Sequence, residues 1–277
     1  MLEGGAFRAL YAAGVTDVLM KNNINFTCIC GVSAGALNGA NYAAGQIGRS
    51  ARINLRYRHD KNYVGIKPML SEHGVIGFDY IFGELDNIEP FDYKTFETKR
   101  FVTVTTDVDT GRVRYWEKDN CTDIFQSIKA SASMPYVSKP VEVDGTFNLD
   151  GGCSVNIPYS WAIRQGYKKV VVVKTRANSY REPEPSSVQL KVIDSLYSDK
   201  PDFAYNLRHS HERYNLEMDE LYYLTERKRV FTFAPSVPID DVGRLESDME
   251  KLGQLYYLGV KDCENNLDNL ISYLEYL

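Results

Sequence analysis

The pentapeptide Gly31-Val32-Ser33-Ala34-Gly35 constrains this chain more than any other feature. It follows an apolar run, Ile24 to Cys30, that reads as a buried strand. It precedes the small-residue-rich stretch Ala36 to Gly45, which reads as a tightly packed helix. A serine on so sharp a strand-to-helix turn occupies strained backbone, and neighbours without bulk let other chains approach it closely. The turn exposes Oγ, and the helix start directs amides and the positive end of its dipole toward it. This order of elements predicts a nucleophile at Ser33, with Gly31 and Gly35 as motif glycines and the N–H of Ala34 as a donor.

The rest of the chain alternates strands and helices. Leu10, Ala13, Val15, Val18 and Leu19 mark one face of a helix over Ala9 to Leu19, although Gly14 weakens that pattern. Residues 54–92 read as short helices and loops. Their aromatics, from Tyr63 to Phe82, suit core packing or else an acyl-binding or membrane-facing wall. Phe101 to Thr106 is a β-branched strand, turned back by Asp109-Thr110-Gly111, and Asp144-Gly145 marks a second hairpin. A helix spans Ile124 to Met134 and stops at Pro135. Lys168 to Thr175, with its valine run, fits a strand covered on both faces, and Arg229 to Pro235 is a further strand. A final amphipathic helix is expected from Asp240, capped by Asp240-Asp241, with Leu245, Met249, Leu252 and Leu255 on one face. The pattern predicts a single-domain α/β sandwich around a partly parallel sheet. Residues 1–180 would form the core, and residues 181–277 would add a strand and helices packed on the same domain.

Several classes of function are disfavoured. A net charge of −5 gives no basis for nucleic-acid binding, and Lys168-Lys169 and Arg227-Lys228-Arg229 read as solvated strand ends. The five cysteines are irregularly spaced and suggest neither a disulfide framework nor a metal site. With no signal-peptide pattern and no long apolar span, a cytoplasmic protein is expected, which leaves room for peripheral membrane contact.

A serine nucleophile needs a base. His209 and His211 follow Asp150 and give a formal Ser-Asp-His order, but they lie in a polar helical stretch two residues apart and so face different sides. His59 and His73 fall in the irregular region. Asp150 ends a hairpin strand ahead of Gly151 and Gly152, which reads either as a turn aspartate or as a carboxylate offered on a close-approaching loop.

Glu3-Gly4-Gly5-Ala6-Phe7-Arg8-Ala9, then Gly31 to Gly35, then Asp150-Gly151-Gly152, occur in the order of the motifs of patatin-like phospholipases. Ala130 to Pro135 and Asn156 to Pro158 are similar to that family's flanks of the aspartate. The resemblance covers roughly the first 180 residues. It implies a three-layer α/β sandwich with a central, mostly parallel sheet and flanking helices, and a Ser33-Asp150 dyad that hydrolyses lipid or other acyl esters without a cofactor. It also implies an oxyanion hole around Gly4, Gly5 and Ala6, with Arg8 close by. Two departures stand out. Alanine replaces glycine at positions 6 and 9, so a positive φ at Ala6 would strain the loop by about 1–2 kcal/mol. Only Met1 and Leu2 precede Glu3, where the family places a full strand. Two other readings remain: a lipid-binding or regulatory member of the fold, and a Ser-His-Asp esterase using His209 or His211.

Overall fold

The protein is described by a computed structural model covering residues 1–275. Its sheet has a parallel spine. Strand β1 (Cys28–Val32) pairs in parallel with β2 (Arg100–Asp107), and β6 (Val170–Val173) pairs in parallel with β7 (Val230–Phe233). The chain start joins the two pairs. Leu2 donates to the Cys30 carbonyl at 2.9 Å and accepts from Val32 N–H at 3.1 Å, while Glu3 N–H bonds to Val173 O at 3.0 Å. Leu2 therefore bridges Gly31 and Val173 in parallel, and the chain runs from it straight into the glycine loop.

Three antiparallel strands extend the spine: β3 (Val113–Glu117), β4 (Val141–Val143) and β5 (Thr146–Asp150). The β4–β5 turn is Asp144-Gly145, with both φ angles positive (44° and 79°), as the tight hairpin read from the sequence requires. Registers fix who sits beside whom. Residues 102–104 of β2 pair with both β1 and β3, and residues 105–106 pair with both β3 and β5. A strand has only two edges, so β1 and β5 must share one, lying end to end.

Alternation along the strands feeds two cores. Ile29, Phe101, Val171 and Val173 pack on one face against α1 (Leu10–Lys21), α2 (Ala34–Ala43) and α5 (Met249–Glu275). Cys30, Val102, Val104 and Val172 face the opposite layer, which includes Met218 and Leu221 of α4 (Ser210–Glu226). Helix α3 (Ile124–Ser131) lies beside β2 and the β4–β5 hairpin. The result is the expected α/β sandwich, with a mostly parallel central sheet between helical layers. No helix among the described residues is long and apolar enough to cross a membrane.

Two sequence expectations need correction. Ile24 to Thr27 are not strand, because Ile24 N–H bonds back to Leu19 O and its carbonyl accepts from the Tyr42 hydroxyl, so these groups are taken by helices rather than a ladder. The last helix begins at Met249 and not Asp240. Asp248 provides the cap, its Oδ1 accepting from Glu250 N–H at 2.9 Å and Lys251 N–H at 3.3 Å. Residues 240–248 instead form a loop held by Arg58, which donates to the carbonyls of Leu245 and Glu246, and by Phe7 N–H on Arg244 O. Of the aromatic stretch, Tyr63 and Phe78 are core, whereas Ile66 and Leu70 are each 76 % exposed on the short helix Ile66–Ser71.

Candidate active site

Ser33 lies between β1 and α2 with φ 56° and ψ −129°, the strained conformation expected of a nucleophile elbow. Its flanking glycines are there for space. A Cβ on Gly31 would lie 2.4 Å from the carbonyl oxygen of Gly35, and one on Gly35 would lie 2.4 Å from that of Leu2. No side chain fits at either position. Ser33 N–H is held by Ser131 Oγ at 2.8 Å, and Ser131 in turn donates to Val104 O at 2.6 Å. The elbow is thus pinned to β2 through α3, which explains Ser131 within the Ala130 to Pro135 stretch.

The strand registers bring Asp150 to the same place. Val32 pairs with Val104, and Asp150 pairs with the next residue of β2, Thr105, on the shared edge. Residues remote in sequence thereby become neighbours at the meeting point of β1 and β5. The Ser33 hydroxyl lies close enough to the Asp150 carboxylate to stabilise its charge. Asp150 Oδ1 also accepts from Gly152 N–H at 2.8 Å, and Asp150 N–H bonds to Ser133 O at 2.9 Å. Burial outweighs these contacts and lifts the Asp150 pKa to about 6; Ser33, Gly152 N–H and the charge of Arg244 pull the other way. Such a carboxylate is a better base near neutral pH than an ordinary aspartate. Gly151 lets the loop approach, since a Cβ there would lie 2.4 Å from Val104 O.

The glycine loop crosses directly over the serine. A Cβ on Gly4 would lie 2.8 Å from Ser33 Cβ, and one on Gly5 would lie 2.6 Å from Thr175 Oγ1. Gly5 has φ 150° and Ala6 has φ 51°. Ala6 thus occupies the left-handed region, and its Cβ strains the loop by about 1–2 kcal/mol. The loop is held from the segment just after β6: Thr175 Oγ1 donates to Gly4 O, and Thr175 N–H donates to the buried Glu3 carboxylate at 2.5 Å. Burial raises the Glu3 pKa, opposed chiefly by the charge of Lys174. Among the described residues, the N–H groups of Gly4, Gly5, Ala6 and Ala34 donate to no backbone carbonyl outside the regular elements. Arg8 N–H, by contrast, bonds to Gly5 O at 3.1 Å, so Arg8 can act only through its guanidinium.

These residues open onto a cleft of about 530 Å³ lined by Gly4, Gly5, Ser33, Asp150, Tyr136 and Arg244, among others. Its size suits a small-molecule or lipid ligand. None of the histidines lines it. His209 stacks on Tyr205 and pairs with Glu212 at 3.2 Å, and His211 Nε2 faces Glu212 at 3.8 Å. The arrangement needed for a Ser-His-Asp triad is therefore not assembled here. Among the described residues, no group of three His, Cys, Asp or Glu side chains is placed to hold a metal.

Sequence reasoning missed the support supplied by α4. Arg213 Nη2 donates to Gly152 O at 3.1 Å, and Glu217 accepts from Asn156 N–H at 3.1 Å. The two side chains bracket the loop that carries Asp150. Burial raises the Glu217 pKa to about 7, against the lowering charge of Arg213. Arg176 and Arg244, which share the cleft with Arg8, also lie outside every motif. Only their spatial convergence reveals them.

The site thus sets a buried serine on a strained elbow beside a carboxylate and next to a glycine loop. Residues 1–163 match the patatin-like phospholipase family, and the chain belongs to that family. Residues 200–275 match a second model, described only as a domain of unknown function (DUF6363). The chain is 30 % identical to the uncharacterized protein YjjU of Escherichia coli K12 over 182 residues, 62 % of this chain and 50 % of YjjU. It is 24 % identical to the probable lipid hydrolase 463L of Invertebrate iridescent virus 6, over 66 % of this chain and 71 % of the viral protein. The chain thus spans about half of the first relative. Among solved structures, VipD of Legionella pneumophila shares the fold with a TM-score of 0.52 at 13 % identity, covering 97 % of this chain and 66 % of VipD.

Proposed function

We propose that the protein is a serine-dependent lipid acyl hydrolase, of phospholipase A or lysophospholipase type, working through a Ser33-Asp150 dyad. The observation that carries this reading is the shared edge of β2, which sets the elbow serine beside a carboxylate whose pKa is raised to about 6. Family membership and the likeness to a probable lipid hydrolase support a lipid ester as substrate.

The chemistry runs through an acyl-enzyme. Ser33 Oγ attacks the ester carbonyl as Asp150 takes its proton, and the carbonyl oxygen becomes an oxyanion. The N–H groups of Gly4, Gly5 and Ala6 on one side, and of Ala34 at the elbow, are its candidate donors. Ser33 N–H is committed to Ser131 and so contributes none. Collapse expels the alcohol, which leaves with the proton from Asp150. Water then attacks the acyl-enzyme, Asp150 removes its proton, and the fatty acid departs as Ser33 is regenerated.

A cleft mouth beside exposed Tyr136, together with the exposed Ile66 and Leu70, is compatible with peripheral contact at a lipid surface. Testing the reading needs a panel of phospholipids and water-soluble esters, assayed with wild type, Ser33→Ala and Asp150→Asn. Each variant is expected to fold and to lose at least 10³-fold in kcat. Unchanged turnover in either would reject the dyad.

A further inference from the structure

The cleft holds more positive charge than the dyad uses. Arg8, Arg176 and Arg244 line it together with Ser33. Arg8 is only 7 % exposed, and its Nε is buried without an acceptor. Arg176, on the loop after β6, also has a buried Nε without an acceptor. Its guanidinium lies 4.2 Å from the centre of the Tyr180 ring and reaches Asp240 at 3.3 Å. Arg244, on the loop before α5, meets Glu182 only at 4.0 Å. Burial first, and then the charges of Arg176 and Arg244, push the Arg8 pKa down to about 10, which places the guanidiniums within electrostatic reach of one another.

The acidic groups of the cleft lie within electrostatic reach of these arginines, Glu3 of Arg8 and Asp150 of Arg244, but each carboxylate is already held by another donor. Glu3 accepts from Thr175, Glu182 accepts from the Tyr180 hydroxyl at 2.7 Å, and Asp150 accepts from Gly152. Among the described residues, none of them closes an ion pair with Arg8. A buried guanidinium with unmet donors is costly, and converging like charges add to that cost. An anion with several acceptor oxygens relieves both, and arginine pairs with phosphate in bidentate fashion.

We propose that Arg8, Arg176 and Arg244 form an anion subsite that takes the phosphate of a glycerophospholipid headgroup while the acyl ester lies at Ser33. The subsite would favour phosphate-bearing lipids over neutral glycerides. Its catalytic consequence rests on reading Ser33 as the nucleophile, but phosphate binding does not.

The test separates the two. The full chain carrying Ser33→Ala is titrated calorimetrically with sn-glycerol 3-phosphate, inorganic phosphate and acetate. Glycerol phosphate is expected to bind at least tenfold more tightly than acetate. Arg176→Gln and Arg244→Gln should each weaken it about tenfold or more, with unchanged circular dichroism. In the Ser33 protein, each arginine variant should also lower by at least tenfold the ratio of kcat/KM for a lysophospholipid over a monoacylglycerol of the same chain. No binding of glycerol phosphate, equal binding of acetate, or binding unaffected in both variants would overturn the subsite. Binding of inorganic phosphate alone would overturn its assignment to a headgroup. Intact glycerol phosphate binding in a protein without ester hydrolysis would reject the hydrolase reading and leave the subsite standing.

Discussion

Asp150 shows how a single buried group links chemistry to stability. Its pKa of about 6 exceeds that of an aspartate in the unfolded chain. The neutral acid is therefore favoured by folding, and stability falls as pH rises from about 4 through 6, then levels off. The cost of ionisation in the folded state is about 3 kcal/mol above that range. Asp150→Asn should accordingly raise the melting temperature at pH 8 and do so much less at pH 4, a comparison that scanning calorimetry makes directly. Activity follows the opposite limb, falling below about pH 6 as the base becomes protonated. A limb at that pH coincides with ordinary histidine titration, so a pH profile alone does not separate a dyad from a triad. Loss of activity in a folded His209→Ala, His211→Ala double variant would. Ala6 is a second residue-scale case. Its alanine was visible in the sequence, but its φ of 51° was not, because the loop's path is set by distant residues, Ser33 packed against Gly4 and Thr175 against Gly5. Ala6→Gly should stabilise the protein by about 1 kcal/mol in urea unfolding, and a loss of stability would contradict the strain.

At the scale of elements, the elbow, both hairpins and the valine strand were legible, since each rests on local patterns: glycine spacing, Asp-Gly turns and β-branched runs. The start of α5 was not. Asp240-Asp241 and Asp248 are equally plausible caps, and tertiary tethers from Arg58 and Phe7 decide between them. Nor did the role of α4 show, because Arg213 and Glu217 look like ordinary polar helix positions until Gly152 and Asn156 are seen beneath them. These contacts make α4 a positioning element for Asp150. Arg213→Met removes a donor from Gly152 O and the counter-charge of Glu217. It is expected to cost about 2 kcal/mol in stability and to lower kcat at least tenfold with little change in KM. Rescue of much of that loss by Arg213→Lys would agree with positioning, and an unaffected kcat would rule it out.

Over the whole molecule, the site depends on contacts distant in sequence. The Ser33–Asp150 approach follows from two strands sharing one edge of β2, a fact of register that no local pattern encodes. Gly14 illustrates the same limit. In the sequence it weakened a helix, whereas in the fold a Cβ there would lie 2.2 Å from Tyr256 O, and one on Gly259 would lie 2.0 Å from Tyr11 O. These glycines let α1 and α5 touch, joining segments matched by the two family models. Gly14→Ala should therefore cost about 2–4 kcal/mol, and wild type should unfold in one cooperative transition. Separate transitions for the two segments would contradict their joint packing. Whether Ser33 is a nucleophile activated by Asp150 is tested by labelling with a fluorophosphonate followed by peptide mapping. One adduct is expected, on Ser33, lost in Ser33→Ala and slowed at least 10²-fold in Asp150→Asn. A folded protein that forms no adduct at Ser33, or labels equally fast without Asp150, would contradict it.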